Sequence, residues 1–562
     1  MVMENTTHTV CRQLVALCVA HKVRRVVLSP GSRNAPLLVA FAREKAIEHH
    51  VVVDERVAAF VALGMATRSN EPVALVCTSG TALLNYAPAV AEAYYRHIPL
   101  IVISADRPDE WIDQDDSQTL RQRGVLSHFV KQSYHIASRN GDTAQWYAQR
   151  EINDALLQAT TGCRAPVHIN IPLDNPLCQV DEFDNDVVTA IEVVEPQPYL
   201  SDGDVGMLAA EVSSSSRVMI LATMLQPSSA LQKVLSKLAQ LPQVVVLTES
   251  IANLHDDAFI PTIDRVLTAI DNSEKTDFAP DLLITLGGAP VSRMVKEFLR
   301  KYAPKAHWRI GNEANIIDTM QCLTRKITTD AAMLFEQIEP LCKSSASDYA
   351  ALWHDREVVA TALHNRIVDD APWCDLKAFS LLLPAIPQGT VLHLSNGTTI
   401  RYAQLFDTPQ VVASYCNRGV SGIDGSTSTA LGAMMADDAH HLLITGDMSF
   451  GYDIGALATS LATSRFKIVV VDNGGGGIFR FIKGPSDLPE LEECFEVRRR
   501  QPVEGYAHLY GLRYSQADSV ESLQTVLPQF FAEDKQPAIL SIKTPNEINA
   551  SVLRNYMRRA RE

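Results

Sequence analysis

The sequence of 562 residues predicts an α/β fold of three doubly wound domains with mainly parallel sheets. Three observations predict it. Short β-branched runs alternate with Ala- and Leu-rich helical stretches along the whole chain. The runs are nearly all apolar rather than alternating, as in parallel strands buried on both faces. Glycine turns follow the strands, most densely in the first and last thirds.

The first domain is placed at residues 1–185. RRVVLS (24–29), HHVVVD (49–54), VALVCTS (73–79), LIVISAD (100–106) and PVHINIP (166–172) read as buried strands. ERVAAFVALGMATR (55–68) and TALLNYAPAVAEAYYRH (81–97) read as helices between them. After Pro172 the text turns acidic and irregular, which marks a domain exit. The second domain, 186–345, has strands at RVMILAT (217–223), QVVVLTE (243–249) and DLLITLGG (281–288). The third, 346–562, begins in a charged helical stretch. Its strands are VLHLS (391–395), VVASY (411–415), HLLITGD (441–447), KIVVVDN (467–473) and AILSIK (538–543).

Composition excludes several classes. Lys plus Arg is 50 and Asp plus Glu is 65, a net charge of −15, which argues against a nucleic-acid surface. The ten cysteines stand singly, without a C-x-x-C pair, as in a reduced cytoplasmic protein. The start, MVMENTTHTV, lacks a signal-peptide pattern, and no long uncharged apolar run predicts a membrane span. No G-x-x-x-x-G-K-[ST] loop occurs, which weakens a non-catalytic nucleotide-binding or assembly role.

In open α/β sheets, ligands bind beyond the carboxyl ends of the strands. Gly446 and Asp447 end one such strand, and Asn473 ends another 26 positions past Asp447. One βαβ unit, with DIGALATSLATS as its helix, brings both ends to one sheet edge. A carboxylate and an amide oxygen suit a hard cation such as Mg²⁺. The run NGGGG (473–477) lets backbone approach a ligand closely, and the Gly475 carbonyl is a candidate third oxygen. Read by itself, Gly-Asp at a strand end is a helix cap. The paired spacing favours a metal–diphosphate site.

This pair resembles the thiamine diphosphate signature, a Gly-Asp-Gly followed about two dozen residues later by Asn-Asn. Met448 stands in place of the third motif residue and Asp472 in place of the first asparagine. The resemblance implies thiamine diphosphate and Mg²⁺, with Mn²⁺ as an alternative ion. It also implies one glutamate beside the aminopyrimidine ring, supplied by a partner subunit. Glu55, following the 49–54 run and opening a helix, is the candidate, and Asp54 its competitor. Burial there would raise a carboxyl pKa and suit it to proton sharing.

SPGSRNAPL (29–37), SADRP (104–108), SQTLRQ (117–122), NRGVSGIDG (417–425) and NGGGGIF (473–479) together resemble the MenD family of menaquinone biosynthesis. The resemblance spans all three domains. It implies a transferase that decarboxylates 2-oxoglutarate and adds the succinyl-semialdehyde carbanion equivalent in a 1,4 sense to isochorismate. Both substrates carry two carboxylates, which arginine forks read well. By carry-over, Arg293 and Arg401 hold the distal carboxylate of the oxoglutarate-derived part. Arg33, Arg107 and Gln118 hold isochorismate, with Ser32 nearby, and Arg418 joins the arginine set. Gln118 is also a candidate catalytic residue. Ile423 props the cofactor, Ile478 and Phe479 line the pocket, and Asn396, Gly397, Met448 and Ser449 complete the cofactor contacts. Ser292 and Ser117 depart from basic and asparagine residues seen in relatives. The sharing of sites implies a homodimer or homotetramer. The nearest rival is another thiamine enzyme, a 2-oxoacid decarboxylase or acetolactate synthase-like carboligase, which lacks these arginines.

Overall fold

The computed structural model describes residues 3–137, 141–184, 186–196, 199–498, 501–532 and 535–558. The chain divides into two compact units. One holds Met1–Glu195, Gly419–Asp438 and Tyr452–Ala462, and the other holds Pro196–Arg418, Ala439–Gly451 and Thr463–Glu562.

The first unit is built on a six-stranded parallel sheet. Its order is Glu48–Val51, Arg25–Leu28, Val73–Cys77, Leu100–Asp106, Val167–Pro172, Ser133–His135. The central strands are fully buried and mostly apolar, which satisfies the two-sided burial of a parallel sheet. Helix Glu55–Ser69 packs on helix Ser426–Met435 at unusually close range. A Cβ on Gly64 would lie 2.0 Å from the Thr429 carbonyl oxygen, and one on Gly432 would lie 2.0 Å from that of Val61. Only glycine permits two backbones to meet this closely.

The second unit carries two more six-stranded parallel sheets. One runs Phe259–Ile260, Val244–Thr248, Val218–Ala222, Leu282–Leu286, Ala306–Ile310, Arg325–Ile327. The other runs Ala413–Tyr415, Val391–Leu394, His441–Gly446, Phe466–Asp472, Ala538–Lys543, Arg513–Ala517. Numbered within itself, the last sheet has the order 2-1-3-4-6-5, and the first unit's sheet repeats it. Each therefore reverses direction between its first and third strands. That switch point opens a crevice beyond the strand ends. It falls beside Ser29–Arg33 and Thr78–Gly80 in the first unit, and beside Ser395–Gly397 and Gly446–Asp447 in the second. The α/β class and the parallel sheets match the expectation.

Several elements differ from it. HHVVVD is an edge strand, Glu48–Val51, and it is mostly exposed, with Val51 57% accessible. Of its three valines only Val52 is buried, while Val51 and Val53 face away from the core of this chain. The 81–97 helix is two pieces, Ala82–Asn85 and Ala87–Tyr95, because Pro88 has no N–H to continue the ladder. DIGALATSLATS forms only a 3-10 segment, Ile454–Thr459, ended by left-handed Ser460 at φ 58°. A short helix, Asp447–Tyr452, precedes it. The acidic stretch after Pro172 contains a strand, Val180–Phe183, antiparallel to Met3–Thr6. Short polar edge strands such as Arg325–Ile327 and Arg513–Ala517 escaped the apolar rule.

Candidate active site

Strands His441–Gly446 and Phe466–Asp472 are parallel neighbours, with Gly446 opposite Val471. Their ends bring Asp447 and Asn473 to one sheet edge, as the spacing required. The Asp447 carboxylate is buried, accepts its neighbour's Met448 N–H at 2.8 Å and accepts the Gly474 N–H at 3.1 Å. Asn473 donates from Nδ2 to Asp375 Oδ2 at 3.1 Å. Its Oδ1 is buried and takes no hydrogen bond among the described residues. A buried amide oxygen left unmatched is costly unless something else coordinates it. A carboxylate and such an oxygen at adjacent strand ends fit a hard divalent cation. Asp472 points to the other side of the pleat, where its carboxylate accepts the Ser541 hydroxyl at 3.2 Å. The departure at this position therefore places its charge against Ser541.

The glycine run is needed for close packing as well. Gly475 has φ +143°, and a Cβ there would lie 2.4 Å from the Glu496 carbonyl oxygen. The loop is pinned by Gly476 N–H donating to that same carbonyl at 2.8 Å. Ile478 and Phe479 open the short helix Ile478–Phe481, with the Phe479 ring 5.5 Å from that of Phe495. Both are half-buried. Met448 is half-buried and Ser449 buried in helix Asp447–Tyr452.

A cluster of cations lies in the same unit. Arg418 donates from Nη1 to Asn396 Oδ1 at 3.0 Å, and its buried Nε makes no hydrogen bond among the described residues. Arg401, on helix Thr398–Ala403, donates to the Gly397 carbonyl. Gly397 itself sits at φ +101° at the head of that helix. Burial, and next the charge of Arg418, pull the Arg401 pKa below its ordinary value, against Asp264. Lys296, which the sequence reading missed, is lowered by burial first and by Arg418 second. Two buried acids lie beneath. Glu249 accepts the N–H groups of Val291 and Ser292 at 2.9 and 2.8 Å, and burial pushes its pKa up to about 7. Asp264 accepts the Ser292 hydroxyl. Ser292 thus caps helix Arg293–Lys301 by accepting Val295 N–H at 3.0 Å. Arg293 does not join this cluster by hydrogen bonding. It is 77% exposed and pairs with Glu297 at 2.6 Å on its own helix.

The first unit holds the other predicted residues. Arg33 is buried and donates to the Leu173 carbonyl at 2.9 Å. Burial, then the charge of Arg107, lowers its pKa. Arg107 donates to the Ser117 backbone carbonyl at 2.9 Å and pairs with Asp116 at 3.2 Å. The contact uses the backbone at 117, so the side-chain departure there leaves it intact. Gln118 has φ +59° and donates to the Ser79 carbonyl at 3.2 Å, while Ser79 donates back to its carbonyl at 2.9 Å. Ser32, next to Arg33 along the chain, is exposed. Ile423, 39% exposed, precedes Gly425 and helix Ser426–Met435. Glu55 is half-buried within this chain, because the strand before it is an exposed edge. Asp54 is the helix cap, accepting Val57 N–H at 3.2 Å.

A switch-point crevice with donors for a cation and a glycine loop defines a diphosphate-binding enzyme. Comparison with protein families agrees: residues 8–125 match "Thiamine pyrophosphate enzyme, N-terminal TPP binding domain", and residues 396–542 match "Thiamine pyrophosphate enzyme, C-terminal TPP binding domain". The chain is 44% identical over 545 residues to the 2-succinyl-5-enolpyruvyl-6-hydroxy-3-cyclohexene-1-carboxylate synthase of Porphyromonas gingivalis, covering 95% of this chain and 94% of the relative. It is 40% identical over 568 residues to that of Christiangramia forsetii, covering 97% and 98%. It is 38% identical over 547 residues to that of Flavobacterium psychrophilum, covering 97% and 98%. The chain belongs to the 2-succinyl-5-enolpyruvyl-6-hydroxy-3-cyclohexene-1-carboxylate synthase family.

Proposed function

We propose that this thiamine diphosphate-dependent transferase of menaquinone biosynthesis joins decarboxylated 2-oxoglutarate to isochorismate by 1,4-addition. Bound thiamine diphosphate supplies the electron sink for decarboxylation. The observation that carries the site reading is the unmatched Asn473 Oδ1 beside the Asp447 carboxylate. These two, with the Gly475 carbonyl, hold Mg²⁺ or Mn²⁺ and through it the diphosphate.

The other residues bind and orient. Glu55 holds a proton at the aminopyrimidine ring. Arg401 and Arg418, with Arg293, receive the distal carboxylate of the donor. Arg33, Arg107 and Gln118, with Ser32, receive isochorismate, and Gln118 is the candidate catalytic residue among them. Ile423, Ile478, Phe479, Asn396, Gly397, Met448 and Ser449 shape the cofactor pocket. Holding two anions in reacting geometry lowers the barrier by several kcal/mol, roughly 7–11 in ideal cases.

The enzyme acts as a cytoplasmic homo-oligomer in which Glu55 of one subunit serves the diphosphate half of another. Support comes from the exposed apolar residues flanking Glu55, Val51 at 57% and Val53 at 75%. The domains are 1–185, 186–345 and 346–562. Among the described residues, no helix is long and apolar enough to cross a membrane. The test is incubation with isochorismate, 2-oxoglutarate, thiamine diphosphate and Mg²⁺. Carbon dioxide and the joined product are expected by mass spectrometry. Turnover of pyruvate in preference to 2-oxoglutarate would reassign the enzyme to the acetolactate synthase-like rivals.

A further inference from the structure

We propose that Asp375 is a positioning residue for the metal-binding amide: it holds Asn473 so that the oxygen, and not the nitrogen, faces the cation. This rests on the reading that Asp447 and Asn473 grip the cation.

An asparagine amide has two ends of nearly equal shape, one accepting and one donating. A hard cation needs the oxygen. The strand end fixes where the Asn473 side chain lies, but not which end faces the site. Asp375 decides it. An ionised carboxylate only accepts, and its Oδ2 lies 3.1 Å from Asn473 Nδ2. Turning the amide over would set its oxygen against a carboxylate oxygen and lose a charge-assisted hydrogen bond.

Asp375 is itself held on several sides. The Thr544 hydroxyl donates to its Oδ1. The Asp375 backbone N–H donates to Asn549 Oδ1 at 2.7 Å, and Asn549 Nδ2 donates to Thr544 Oγ at 3.1 Å. Thr544 follows strand Ala538–Lys543, the parallel neighbour of Phe466–Asp472, and its N–H donates to the Asp472 carbonyl at 3.3 Å. The clamp is thus anchored one residue from Asn473. Asp375, Thr544 and Asn549 are all buried. Among the described residues, the side chains bonded to Asp375 are Thr544, Asn473 and Asn549, none of them cationic. A buried carboxylate without a cation beside it is expensive. A divalent ion held by Asn473 would supply that missing charge.

The test is the Mg²⁺ concentration needed for thiamine diphosphate to bind the full chain, read by tryptophan fluorescence without substrates. In Asp375→Asn the midpoint is expected to rise about tenfold or more, the usual effect of losing an outer partner of a metal ligand. The unfolding temperature without cofactor should stay near the parent's, and turnover should recover at saturating Mg²⁺. A freed amide also presents nitrogen, so Ni²⁺ should gain on Mg²⁺ in relative affinity. A purely structural role would move neither the ion preference nor the Mg²⁺ rescue. If Asp375→Asn fails to fold, Thr544→Val keeps the carboxylate and removes its anchor, and the midpoint should rise severalfold. An unmoved midpoint in the folded variant, with Asn473→Ala raising it, overturns the role of Asp375 alone. Unmoved midpoints in Asn473→Ala and Asp447→Ala overturn the metal site itself.

Discussion

Glu55 and Glu249 are both glutamates, yet their surroundings give them different chemistry. Glu55 stands half-buried after an exposed edge strand, open to the cofactor ring proposed to meet it. Glu55→Gln keeps the shape and removes the proton-holding group. Activity is expected to fall by about 10²–10⁴-fold, the range for a lost acid–base group. Metal-dependent cofactor binding, read by thermal shift, should persist. Glu249 is fully buried, and burial raises its pKa from 4.5 to about 7. The native state therefore binds its proton more tightly than the unfolded chain does. Its contribution to stability is complete below about pH 4.5 and is lost as pH rises through about 7. In Glu249→Gln that dependence disappears. Unfolding curves of the parent and variant should diverge between these pH values, with the parent losing on the order of 3 kcal/mol relative to the variant. Parallel pH profiles would show that Glu249 does not titrate there.

Elements met the sequence rules where both faces are buried and broke them at edges. Val73–Cys77, Leu100–Asp106 and Phe466–Asp472 are mostly apolar runs in the middle of their sheets, so composition alone marks them. Ser133–His135, Arg325–Ile327 and Arg513–Ala517 lie at sheet edges with polar or charged letters, and nothing local separates them from loops. The contact between helices Glu55–Ser69 and Ser426–Met435 is also invisible in sequence, since 371 positions separate their first residues (426 − 55). It depends on Gly64 and Gly432. Gly432→Ala sets a methyl group against the Val61 carbonyl and forces the helices apart. Destabilisation of about 1–3 kcal/mol is expected, as for overpacked cores, and denaturant midpoints would measure it. Gly505→Ala, where a Cβ meets nothing within 4 Å, is the control.

At the scale of the whole molecule, the proposed sharing of sites between subunits has a direct consequence. Glu55→Gln and Asp447→Ala subunits are each expected to be nearly inactive alone. Mixed in one dimer, they place an intact Glu55 and an intact Asp447 in one of its two sites. Co-expressed with different tags and purified as the hybrid, they should regain roughly half the parental activity if sites are independent. No recovery would mean that each site is made by one chain. The sequence by itself determined the α/β class, the strand ends that carry Asp447 and Asn473, and the arginines past the strands. Those features are local: an apolar run, a turn and a motif lie within one stretch of chain. Only the tertiary structure decided that Asp54 is a cap, that Ser292 is tied to Asp264, that Lys296 sits among the arginines, and that Asp375 grips Asn473. Asp375 and Asn473 are 98 positions apart. No residue pattern encodes such a meeting, because burial and hydrogen-bond partnership are properties of packed neighbours rather than of neighbours along the chain.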